Sequence, residues 1–229
     1  MTAPSRYVSS WVIALTATFV LTLALADLAA TKFVDVYGVA APGGVFLFSI
    51  LFVVRDALHK AAGAEYVRRT IWVAAALNLA MAAYFWAVAA MPAAAFFDLD
   101  EPWGAIFRLA PAIVLGSIIA AVVSQLVNTW AYDRLWRRGA PLWWRTIGSN
   151  LVSLPVDSVL FVLLAFVVFP PMFGADALAL GAIVGRIVSG QIVIKLATVL
   201  VLTPLVYVTP TNPAVSPTPA RDSVLSPPS

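Results

Sequence analysis

Residues 146–175 read TIGSN LVSLP VDSVL FVLLA FVVFP PMFGA, an apolar stretch carrying one charged side chain, Asp157. The stretch exceeds the roughly 20 residues that a helix needs to cross a bilayer. A carboxylate near the middle of such a helix costs on the order of 2.5–3.5 kcal/mol on insertion scales. Groups placed there at that cost usually face a cavity or a partner, so Asp157 points to a protein that moves or senses a polar solute.

Working outward, five more apolar runs lie between charges: 7–26, 36–54, 70–97, 109–132, and 177–220 interrupted by Arg186 and Lys195. Hydrophobic residues make up 62% of the 229 positions, charged residues 11%, and mean hydropathy is +0.95. A soluble domain carries about 25% charge, so this chain could not cover itself with polar surface. Strands of a transmembrane barrel would be shorter and would alternate. The reading is an all-α integral membrane protein, a single bundle of six transmembrane helices at about 9–27, 38–54, 70–92, 107–131, 146–169 and 187–208. Pro42-Gly43-Gly44 leaves the second of these cramped.

Charge sets the expected orientation. Arg6 precedes the first span; Arg55, Lys60, Arg68 and Arg69 lie between the second and third; Arg134, Arg137, Arg138 and Arg145 lie between the fourth and fifth. The opposite loops carry Asp98, Asp100, Glu101 and Asp176, with Lys32 the basic exception. The positive-inside rule then puts both termini in the cytoplasm of a multi-pass protein of the cell (cytoplasmic or inner) membrane. Arg6, the run after it and Ala24-Leu25-Ala26 also fit the outline of a cleavable leader, but the run is long and the chain stays hydrophobic beyond it. The arginines after the fourth span could bind anionic lipid or serve only as a topological anchor. Residues 1–209 form one transmembrane domain. From 210 to 229 six prolines deny regular helix, and the segment reads as a disordered cytoplasmic tail.

There is no cysteine and His59 is the single histidine. Disulfides and thiolate chemistry are excluded, and a structural zinc or haem site is not expected. The net charge of +3 sits at membrane edges, so no nucleic-acid partner is implied. No clustered nucleophile–base arrangement supports an enzyme, and no cofactor is called for.

On a helical wheel Thr146, Asn150, Ser153, Asp157 and Phe161 fall on one stripe. That face offers an amide, hydroxyls, a carboxylate and an aromatic ring. Pro155 interrupts the ladder beside it and frees the carbonyl of Leu151. Asn150 and Ser153 could equally bond a neighbouring helix. The fourth span presents Ser117, Ser124 and Asn128 on one face with Gln125 nearby, and the sixth presents Gln191, Lys195 and Thr198. Lys195 is too deep to reach the interface easily and is a natural partner for Asp157. Asp27 and Asp56 close the first two spans, as interfacial charges or as site residues. Gly181 and Gly185 have the spacing of a close-packing motif.

The order of these landmarks resembles the queuosine precursor transporter (VUT) family. The residues that carry the resemblance are Asp27-Leu-Ala-Ala-Thr-Lys32; Asp56 with Gly63 and Arg68-Arg69; Ser124-Gln125-x-x-Asn128; Arg145 with Ser149-Asn150, Ser153, Asp157-Ser158 and Phe161; and Lys195 with Thr203-Pro204-x-x-Tyr207. They extend over roughly residues 11–208. Asp27 stands where the family commonly has Asn, Lys60 and Ala62 replace a Glu and a Tyr, and Leu154 stands where Gln is frequent. The resemblance implies import of a 7-deazaguanine such as preQ0 or preQ1.

The residues suit such a cargo. A guanine-like edge offers N1–H and an exocyclic amine, which one carboxylate can accept together. Asp157 is the expected acceptor; Asn150, Gln125 or Lys195 could donate to the ring; Phe161, Trp144 or Trp130 could stack on it. The substrate-binding set is therefore Asp157, Asn150, Ser153, Gln125, Lys195, Phe161 and Asp56, with a small-molecule substrate, the lipid bilayer and a possible homo-oligomer as partners. The alternatives are uptake of another vitamin or nucleobase-like molecule, and a substrate-binding membrane subunit served by an ATPase.

Overall fold

The computed structural model describes residues 9–179 and 181–208, side chains excepted at 56, 59, 60, 64, 129, 132, 133, 136, 142, 143, 145, 146 and 203–208. Arg6 and the tail 210–229 lie outside the described residues. Seven helices and one hairpin follow in the order α1 (Ser10–Ala29), β1 (Phe33–Val36), β2 (Val39–Pro42), α2 (Val45–Ala62), α3 (Ala64–Ala89), α4 (Asp100–Phe107), α5 (Ala110–Arg137), α6 (Leu142–Leu163) and α7 (Ala182–Val208).

Among the described residues, five stretches are helical, long and apolar enough to cross a membrane: Ser10–Ala29, Glu65–Ala89, Asp100–Asn128, Ile147–Val168 and Ala182–Leu202. Large apolar side chains stay exposed along them, including Trp11, Leu21, Trp72, Leu77, Leu126, Ile183 and Val201. On a soluble protein so much exposed apolar surface would drive association; here lipid covers it, and the chain is a multi-pass membrane protein.

The stretch expected as the second span departs from the reading. Residues 33–42 are an antiparallel hairpin with Phe33 opposite Pro42 and Val36 opposite Val39. The chain is therefore mostly helical rather than all-helical. The loop is Tyr37-Gly38, both at positive φ (53° and 82°), and Gly38 N–H donates to Asp35 Oδ1 at 2.9 Å. Two left-handed residues in a two-residue loop match the twist of the flanking strands. The helix starts only at Val45, and its apolar part is Val45–Arg55. Apolar composition alone could not separate these two short strands from the helix after them.

Glycine makes the junction possible. A Cβ on Gly44 would lie 2.0 Å from the carbonyl oxygen of Ala26, so α2 begins directly against the end of α1. Likewise a Cβ on Gly190 would lie 2.1 Å from the carbonyl oxygen of Ala40, which seats α7 against β2. Gly185, by contrast, meets nothing within 4 Å, so the Gly181/Gly185 spacing is not used for close packing within the described chain.

α5 packs closely on α6 and on the turn that follows it, with Gly116 against the backbone of Ala165. After Leu163 the helix loosens into a π turn, Leu164–Val168, closed by Phe169 N–H to the carbonyl of Leu164 at 3.0 Å. Pro170 and Pro171 follow and can supply no N–H to continue the ladder. The main core, with Ile113, Phe161, Val162, Phe166 and Ile187, gathers α5, α6, the π turn and α7. Phe33 of the hairpin rests on Phe166 with ring centroids 4.8 Å apart.

Candidate functional site

Asp157 lies about two turns before the π turn on α6, and Lys195 lies midway along α7. Lys195 Nζ donates to Asp157 Oδ2 at 2.7 Å, with the lysine side chain 2% exposed and the aspartate 13%. Asp157 Oδ1 accepts from Ser124 Oγ of α5 at 3.0 Å, and Lys195 also reaches Ser158 Oγ at 3.4 Å. Three helices thus meet at one ion pair. A buried pair of this kind survives only when its remaining hydrogen-bonding capacity is engaged.

The pair borders a cavity of about 70 Å³ lined by Phe19, Phe48, Leu51, Phe52, Arg55, Ile71, Ser117, Ala120, Gln125 and Phe161. Phe48 and Phe161 meet edge to face at 5.5 Å, and Lys195 Nζ stands 5.9 Å from both ring centroids. The cavity is apolar over most of its wall, with charge and amide gathered at Asp157, Lys195, Arg55 and Gln125. Such a wall suits a flat, partly polar small molecule.

Of the residues expected from sequence, Asp157, Lys195, Gln125 and Phe161 come together here. Asn150 and Ser153 do not line the cavity: Asn128 Nδ2 donates to both Asn150 Oδ1 and Ser153 Oγ at 3.0 Å, tying α5 to α6. The side chain of Asp56 lies outside the description. Trp130 and Trp144 are largely exposed and absent from the wall, leaving Phe161 as the aromatic surface among the three expected. Phe19, Phe48, Phe52 and Arg55 were not anticipated as wall residues. Arg55 reads in sequence as a loop cation, and phenylalanines in apolar helices carry no signal of which way they face.

A second polar cluster was only partly legible. Asp27 is not an exposed charge at the end of its run; it is 1% exposed, and its Oδ2 accepts from Asn78 Nδ2 of α3 and from Ser117 Oγ of α5, the latter at 3.1 Å.

The model of the family described as "Putative vitamin uptake transporter" matches residues 42–209, which hold α2 to α7 and every wall residue except Phe19. The chain belongs to this family. The resemblance read from the sequence is thereby borne out. A Bacillus subtilis (strain 168) protein named "Probable queuosine precursor transporter" is 28% identical over 145 residues, 62% of this chain and 63% of the relative. The match therefore spans less than two thirds of that relative's length. No solved structure matches the chain. Within this vitamin uptake transporter family member, the matched region carries the Asp157–Lys195 pair, while Asp27 precedes it.

Proposed function

We propose that the chain is a transporter that imports a 7-deazaguanine precursor of queuosine, such as preQ0 or preQ1, across the cytoplasmic membrane. The observation that carries this reading is the hydrogen-bonding capacity left over at the ion pair. A carboxylate has about four lone-pair sites, and Ser124 and Lys195 use two of those on Asp157. An ammonium has three donors, and Asp157 and Ser158 take two of those on Lys195. Two acceptor sites and one donor remain beside a wall of phenylalanine. A guanine-type edge presents two donors and a carbonyl acceptor on a flat ring, which is the complement.

Phe161 or Phe48 stacking on the base would add about 1–3 kcal/mol. A cargo without the paired donors would leave the carboxylate short of partners, and that penalty gives selectivity. Six helices with both termini cytoplasmic, rocking around this central site, would provide alternating access.

Complementation tests the reading. Cells unable to make queuosine and lacking their own importer are fed nanomolar preQ0 or preQ1, and queuosine in tRNA is measured. Wild type restores the modification and Asp157→Asn, at equal membrane abundance, does not. A well-expressed wild type that restores nothing overturns the deazaguanine assignment and leaves uptake of another small molecule.

A further inference from the structure

Asp27 has no place in the cargo site, yet it is buried near the end of a membrane-length helix. Asn78 and Ser117 satisfy its Oδ2, whereas Asp27 Oδ1 and Asn78 Oδ1 are both buried without a hydrogen-bond partner. These two orphan acceptors belong to groups already joined to each other through Asn78 Nδ2. Among the described residues no cation pairs with Asp27. The helices packed on α1 are α2, α3 and α5. Their described charged groups lie further along the helix axes, although Arg55 reaches the wall of the cavity that Ser117 also lines. Arg55 follows Gly44, the residue against Ala26, by 11 positions, about 16 Å at a rise of ~1.5 Å. Glu65, Arg68 and Arg69 of α3 pair with one another at least nine residues before Asn78. Arg134 and Arg137 of α5 are 17 or more residues beyond Ser117. Across the cavity, Lys195 is engaged by Asp157.

A buried carboxylate without a counter-charge must be neutralised or pay the cost of desolvation. Sodium would need oxygen ligands beyond those that Asp27, Asn78 and Ser117 supply. A proton needs no shell; placed on Oδ1 it turns an orphan acceptor into a donor, in a cluster whose other orphan is the acceptor oxygen of Asn78. We propose that Asp27 is a proton-carrying site that couples cargo uptake to proton entry. Ser117 is the link, because it donates to Asp27 and also lines the cargo cavity. When the cavity takes up water, the carboxyl turns its O–H toward Ser117, and the proton passes through the Ser117 hydroxyl to that water as Ser117 releases its own. The carboxylate left behind is held by the Asn78 and Ser117 donors. The site can therefore exist in both protonation states, as a carrier must.

The coupling half of this inference rests on the transport reading; the proton site itself does not. Two measurements separate them. In lipid vesicles without cargo, infrared difference spectra over a pH titration should show a protonated-carboxyl band in wild type that Asp27→Asn lacks. If both proteins show the same band, or wild type shows none at any pH, the site is overturned whatever the cargo. In vesicles with preQ1 outside, an inward gradient of one pH unit should drive up to about tenfold accumulation at one proton per cargo. Asp27→Asn should equilibrate cargo without accumulating it, Asp27→Glu should recover part of the drive, and Ser117→Ala should slow it. Accumulation driven by a sodium gradient instead, or an undiminished proton response in Asp27→Asn, overturns the proposal. If neither protein moves preQ1 but the infrared band is lost in Asp27→Asn, the cargo assignment fails and the proton site stands.

Discussion

Lys195 Nζ and Asp157 Oδ2 are 2.7 Å apart at the meeting of α6 and α7, and each is the other's counter-charge in a mostly apolar wall. Removing one partner of a buried pair costs about 3–5 kcal/mol, because the other is left charged without compensation. Asp157→Asn and Lys195→Met should each lower the thermal unfolding midpoint in detergent. The double variant should recover most of that loss while uptake stays abolished. Additive destabilisation in the double variant would show that the two side chains are not coupled.

Phe161 is 3% exposed and borders both the core and the cavity. Phe161→Leu keeps most of the volume and removes the stacking face. Losing about 1–3 kcal/mol of base stacking should raise KM for the deazaguanine by about 5- to 150-fold, with kcat little changed. An unaltered KM in initial-rate uptake would move the stacking role to Phe48.

Gly44 and Gly190 each face a backbone carbonyl, at 2.0 and 2.1 Å from an added Cβ, whereas Gly185 faces open space. Gly44→Ala and Gly190→Ala must push helix from helix or hairpin, and each should cost at least about 1–3 kcal/mol, as overpacking does. Gly185→Ala, inside α7, should be neutral or gain up to ~1 kcal/mol from helix propensity. Thermal melts of the three variants check the ordering.

Gln191 is 1% exposed, and neither its amide nitrogen nor its oxygen has a partner. Replacing an unsatisfied buried amide with an apolar group of similar shape is neutral or stabilising. Gln191→Leu should hold or raise the unfolding midpoint and leave uptake intact. Lost uptake in a stable variant would place this amide against the cargo.

Much of the site could be read along single helices. The 3.6-residue period puts Ser153, Asp157 and Phe161 on one stripe, and Lys195 needs a counter-charge at its depth. What escaped that reading is rotation of one helix against another. Asn150 and Ser153 share the stripe with Asp157 but face Asn128, because α5 crosses α6 there. Asp27 looks like an interfacial charge at the end of its run until α3 and α5 close over it. The hairpin at 33–42 was hidden because its residues are as apolar as the helix they precede; only Tyr37-Gly38 marked the turn.

The sequence by itself determined that this is a helical membrane protein of the vitamin uptake transporter family with a charged pair in its spans. The helices and the charged residues within them follow from composition, length and period, which are local and cannot be rearranged by packing; the family follows from the order of its motifs. Tertiary structure decided which polar groups share a cavity, which are tied between helices, and that Asp27 is sealed beside an unsatisfied amide. Those depend on how helices rotate and approach, and glycine contacts such as Gly44 against Ala26 set that approach through atoms far apart in the chain.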